Sequence, residues 1–183
     1  MRLADEFFLL ALDDRTGRSL LSPRVLGLGL AGALLVELII ERKITVQRDR
    51  IVVLDRQPSA DPLGQRILAH LAGELSEHEV RTWLVYLARD AREQVATRLR
   101  RAGHIRQEQV RRLWRSEVVY PPTDLNAAAL PRARLVHSLT RRLPMPWAEV
   151  ALAGLAVATG LDSHLLYTAD DAAGEYLRHL IEH

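Results

Sequence analysis

The sequence predicts a mainly α fold: a central helical bundle around one buried apolar helix, wrapped by amphipathic helices, with two small β-hairpins. Three observations carry this. The stretch Arg24 to Arg42, RVLGLGLAGALLVELIIER, is almost unbroken in its apolarity, with Glu37 the one acid between Val25 and Ile40. Helical periods of apolar residues flank it on both sides. Two short runs, Lys43 to Leu54 and Ile105 to Tyr120, instead read as paired strands.

The core stretch decides the architecture. Leu26, Leu28, Leu30, Leu34, Leu35, Val36, Leu38, Ile39 and Ile40 point all round a helical wheel, which suits either a protein core or a bilayer. A span needs about 20 apolar residues, whereas Val25 to Ile40 offers sixteen, with Glu37 and three glycines among them. A core helix is the better reading. Gly27, Gly29 and Gly32 each weaken a helix by roughly 1 kcal/mol relative to Ala, a cost offset where neighbouring backbones approach closely.

The 183 residues suit a single domain over 1–183. Hydrophobic residues make up 48% and charged residues 26%, as in ordinary globular proteins. The absence of cysteine excludes disulfides and thiolate chemistry. The start, MRLADEFFLLALDD, lacks the shape of a signal peptide, so a cytoplasmic location is expected. Net charge is only +2, but Arg89 to Arg142 holds thirteen arginines against five acids. That segregation predicts a basic surface facing an anionic partner.

Along the chain, Leu3 to Leu12 reads as a first helix with Asp5 and Glu6 in its first turn. Asp13 to Gly17 is a turn, and Pro23 stands at the start of the core helix. Lys43 to Gln47 and Ile51 to Leu54 form the first hairpin. Gln57 to Pro62 is a loop. Leu63 to Leu75 and Glu77 to Ala88 read as helices, the second opened by a capping box of Ser76 and Glu79. Arg89 to Ala102 continues as a basic helix closed by Gly103. The second hairpin, between Ile105 and Tyr120, is expected to turn near Arg115-Ser116. Arg132 to Leu143 reads as a basic helix after Pro131, Trp147 to Thr159 as an apolar helix, and Asp170 or Asp171 to Ile181 as the last.

Familiar catalytic signatures are missing. There is no phosphate-binding G-x-x-x-x-G-K-[ST], no G-x-S-x-G and no H-E-x-x-H. The glycines of Gly27 to Gly32 mimic a dinucleotide fingerprint, but no strand precedes them. His70, Glu74 and His78 are spaced four apart, as metal ligands on one helix face would be. The helix break at Ser76 separates them, so no metal or cofactor is expected. The remaining histidines lack a Ser or Cys partner, and an enzyme is not expected.

Several blocks together resemble the Golgi phosphoprotein 3 domain family. They are LADEFFLLALDDRTG, GLGLAGALLVEL and RKITV between Leu3 and Val46, then the R-x-x-R-E segment from Arg89 to Glu93 with its closing Gly103. The resemblance implies a peripheral membrane protein that reads phosphatidylinositol 4-phosphate, self-associates through the projecting hairpin, and in eukaryotes helps retain glycosyltransferase cargo at the Golgi. The absence of the long leading tail of eukaryotic members suggests a bacterial relative. In the family the headgroup is held by two arginines that match Arg89 and Arg92, and by a Trp and an Arg. Aligning Gly17, Gly29 and Gly32 puts Ser22 and Ala31 at the latter two positions, so those are not matched.

The basic face is therefore expected to meet anionic membrane lipid through Arg89, Arg92, Arg98, Arg100 and Arg101. Arg111, Arg112, Leu113, Trp114 and Arg115 form an expected membrane contact, since Trp favours the headgroup boundary and arginines meet lipid phosphates. Nucleic acid is the competing partner for the same arginines, but no helix-turn-helix or RNA-binding signature accompanies them. An adaptor for acidic protein tails is a further alternative.

Overall fold

The computed structural model describes residues 1–74, 78–112, 115–165 and 171–182. Helix α1 (Leu3–Leu10) is buried on nearly every side, with Phe7 and Phe8 fully enclosed. It is followed by a turn closed by the Asp13 carboxylate, which accepts from Thr16 N at 2.8 Å and Thr16 Oγ1 at 2.7 Å. Helix α2 (Pro23–Ile40) opens with Ser22 as its N-cap and Pro23 in its first turn.

Helix α2 is the pillar of the fold. By length and composition it could cross a membrane, the one such helix among the described residues. Here it is walled in by α1, by α3 (Pro62–Gly73), by α4 (Val80–Arg101) and by α6 (Trp147–Thr159). Its glycines allow that crowding. A Cβ on Gly27 would stand 2.6 Å from the Ala88 carbonyl oxygen of α4, and one on Gly29 would strike the Phe7 ring of α1. The expected return on helix-weakening glycines is thus present as close approach.

The two hairpins are antiparallel pairs. Strands β1 (Ile44–Gln47) and β2 (Arg50–Val53) pair from Ile44↔Val53 to Gln47↔Arg50. Strands β3 (Glu108–Arg112) and β4 (Arg115–Val119) pair from Glu108↔Val119 to Arg112↔Arg115. Helix α5 (Leu125–Thr140), a short α7 (Asp162–Leu165) and α8 (Asp171–Glu182) complete the described elements.

Several sequence expectations need correction. The segments expected as two successive helices form one, α4, and it begins at Val80 rather than Glu77. Its start is pinned to the first hairpin, where Val80 N donates to Asp49 O at 2.8 Å. Ser76, the expected cap, lies outside the described residues, and Glu79 is itself the N-cap residue. Arg115 and Ser116 belong to β4 and not to the turn, because pairing runs on through Arg112↔Arg115.

Helix α5 starts seven residues before Arg132, capped by Asp124, whose side chain accepts from Asn126 N and Ala127 N. Pro131 is buried inside it and forgoes one helical hydrogen bond. A strong cap and three consecutive alanines carried the helix through a residue that reads as its boundary. Helix α7 had no sequence signal of its own.

Candidate functional site

Helix α4 arranges the basic face. Arg89, Arg92, Glu93, Ala96, Thr97 and Arg100 recur at helical spacing and so share one side. The opposite side, with Ala91, Val95 and Leu99, is buried against the core. The second hairpin and the segment after it lean over this basic side. Together they enclose a cleft of about 300 Å³ whose lining includes Arg89, Arg92, Glu93, Arg100, Gln107 and Tyr120.

Three guanidiniums thus converge on one cleft, and none has a carboxylate partner among the described residues. Arg89 is exposed. The Arg92 side chain is half-buried, with Nη2 3.5 Å from Val118 O and Cζ 5.4 Å from the Tyr120 ring centroid. Arg100 Nη2 donates to Thr97 Oγ1 at 3.3 Å. Three guanidiniums against the one acid of the lining, Glu93, which forms no salt bridge with them, are suited to a phosphate, whose oxygens accept from several guanidinium N–H groups at once. Arg89, Arg92 and Arg100 of the five expected face arginines line this cleft. Gln107 and Tyr120 arrive from a distant segment and had no local signal.

Arg98, expected on the lipid-facing surface, is instead a core residue. Its Nε lies 2.8 Å from Asp5 Oδ1, its Nη1 2.9 Å from Asp61 Oδ2, and its Nη2 3.4 Å from Glu37 Oε1. Burial opposes its charge, but Glu37, Asp5 and Asp61 outweigh that and raise its pKa above the usual arginine value. Glu37 responds in the other direction. Burial lifts its carboxyl, with Arg98 and the Ala4 amide acting against the rise. The charge segregation along the sequence is therefore partly cancelled in space. Arg134 likewise pairs with Glu6 at 2.7 Å and Glu149 at 3.1 Å.

Other sequence candidates are more scattered. Ser22 is exposed and caps α2, its Oγ accepting from Val25 N at 3.4 Å. Ala31 is fully buried in α2. Neither residue lines the arginine cleft. Arg111 is exposed on β3 opposite Ser116. Leu113 and Trp114 lie outside the described residues, as do the side chains of Arg112 and Arg115. His70 and Glu74 stand at the end of α3, with His70 Nδ1 3.3 Å from the Tyr86 hydroxyl and His78 Nε2 3.8 Å from Glu74 Oε1. The three do not share a helix face, and the described residues hold no cluster suited to a metal.

The fold and cleft define a mainly helical domain with an arginine-lined cleft between α4 and the second hairpin. Residues 3–182 match the family model described as Golgi phosphoprotein 3 (GPP34), and the chain belongs to that family. A comparison with curated proteins found no match.

Proposed function

We propose that this protein is a peripheral membrane protein that binds an anionic lipid headgroup, of the phosphatidylinositol 4-phosphate kind, in the cleft between α4 and the second hairpin. The observation that carries this reading is the convergence of Arg89, Arg92 and Arg100 on one cleft without a salt-bridge partner among the described residues. The chain's place in the Golgi phosphoprotein 3 family supports the same direction. Its role is binding and not catalysis, with attachment from the cytoplasmic side of a membrane. The second hairpin adds contact through Arg111 and its neighbours, each cation near an anionic leaflet contributing roughly 1 kcal/mol. Self-association through this hairpin and capture of protein cargo are compatible with that placement.

Liposome flotation tests the proposal. Recovery is expected to rise from neutral phosphatidylcholine vesicles to vesicles with phosphatidylserine, and to rise again with phosphatidylinositol 4-phosphate at matched charge. Equal recovery on all three would overturn it. Loss of vesicle binding to competing single-stranded nucleic acid at matched salt would favour the nucleic-acid reading of the same arginines.

A further inference from the structure

Arg92 is held in an unusual way. Its Nε is buried from solvent and has no hydrogen-bond partner among the described residues. Its hydrogen-bond contact among the described residues, to Val118 O at 3.5 Å, is at the outer limit for a hydrogen bond. A buried donor left unpaired costs free energy, and more so on a charged group. What holds the guanidinium in place is the face of Tyr120, 5.4 Å away.

Tyr120 is itself fixed from two sides. Its ring meets Phe8 of α1 edge to face, with centroids 5.4 Å apart and planes at 79°. Its backbone N donates to Gly17 O at 2.8 Å. Gly17 has φ of +65°, and a Cβ there would lie 2.6 Å from the Tyr120 carbonyl carbon. Gly17 N in turn donates to Asp13 O at 2.9 Å, inside the turn that the Asp13 carboxylate closes. A chain of short contacts therefore runs from the Asp13–Gly17 turn through Tyr120 to Arg92.

We infer that Tyr120 is a positioning residue for the anion site: seated by the Asp13–Gly17 turn, its ring holds the Arg92 guanidinium in the cleft, poised for a phosphate oxygen. The inference rests on the anion-binding reading of the cleft. A carboxylate in Tyr120's place would neutralise Arg92 and remove its pull on a ligand. An aromatic face orients the cation and leaves its charge available. The half-satisfied state of Arg92 is the cost of keeping that charge free.

Two measurements on the full chain test this separately from membrane binding. In ligand-free protein, the Arg92 Nε–Hε NMR resonance is expected to be protected from exchange and displaced by the Tyr120 ring current. Tyr120→Phe keeps that signature and Tyr120→Leu abolishes it. An unchanged resonance in Tyr120→Leu would overturn the inference whatever the lipid result.

In flotation with phosphatidylinositol 4-phosphate vesicles, Tyr120→Leu is expected to weaken binding roughly fivefold to thirtyfold, with Tyr120→Phe close to the parent. In an Arg92→Ala background the same Leu substitution is expected to cost nothing further. Additive losses in that cycle would show that Tyr120 does not act through Arg92, and would overturn the inference. No binding by the parent protein would instead overturn the lipid reading, leaving the resonance to decide the role of Tyr120.

Discussion

Arg98 Nη1 and Asp61 Oδ2 lie 2.9 Å apart, joining the last turn of the molecule's longest described helix to the N-cap of α3. The same guanidinium also reaches Asp5 of α1 and Glu37 of α2. One side chain thus ties four helices. Arg98→Ala would leave the largely buried Asp5 and Glu37 without their cation and Asp61 with the longer contact to Arg2 at 3.7 Å, and a loss of about 3–5 kcal/mol is expected. Arg89→Ala, on the exposed side of the same helix, is expected to stay within about 0.5 kcal/mol of the parent. Urea denaturation of the two variants compares them directly. Equal stabilities would show that the cluster is not a structural tie.

The same cluster predicts a pH dependence. Burial raises the Glu37 carboxyl above its ordinary value of 4.5. A raised carboxyl binds its proton more tightly in the folded state. Its contribution is therefore complete below the unfolded value and is lost as pH rises through the folded value. Glu37→Gln has no such proton to lose. Its stability relative to the parent is expected to rise as pH climbs from the ordinary carboxylate value of 4.5 through the raised folded value, then level off. Asp13, Glu41 and Asp55 all have lowered pKa values and weaken the fold in acid, but both proteins share them, so they cancel in the difference. Denaturation of both proteins across this range checks the sign.

Neighbouring arginines on α4 are expected to differ in vesicle binding. Arg100 lines the cleft with Arg89 and Arg92, whereas Arg101 lines a separate depression beside Asp61 and Arg66. Arg100→Ala is expected to remove the preference for phosphatidylinositol 4-phosphate over phosphatidylserine. Arg101→Ala is expected to lower both by a similar factor, at roughly 1 kcal/mol for one cation near the leaflet. Paired flotation assays distinguish the two outcomes, and identical profiles would move the headgroup away from the cleft.

Glycines that look alike in the sequence are expected to diverge on substitution. Gly27→Ala drives a methyl to within 2.6 Å of the Ala88 carbonyl oxygen, so α2 and α4 must separate and stability falls. Gly154, within α6, has nothing within 4 Å of an added Cβ. Gly154→Ala is expected to stabilise by up to about 1 kcal/mol through helix propensity alone. Thermal melts of the two variants should therefore shift in opposite directions.

The sequence by itself determined most of the secondary elements, though not α7, and the central place of α2, because hydrophobic periodicity is a local property of the chain. All-round apolarity marked Val25 to Ile40 as a core helix, alternation marked the first hairpin and the fading of the helical period the second, and the spacing of Arg89 and Arg92 placed them on one helix face. Boundaries were less legible at the start of α5, where the Asp124 cap and the run of alanines outweighed Pro131. Only the tertiary structure decided which charges are spent and which are free. Arg98 and Arg100 are two residues apart on one helix, yet the first meets Asp5, ninety-three residues away, and the second opens to a cleft. Tyr120 reaches Arg92 only because Gly17 seats its backbone. Such pairings depend on how distant segments pack, and no local pattern encodes them.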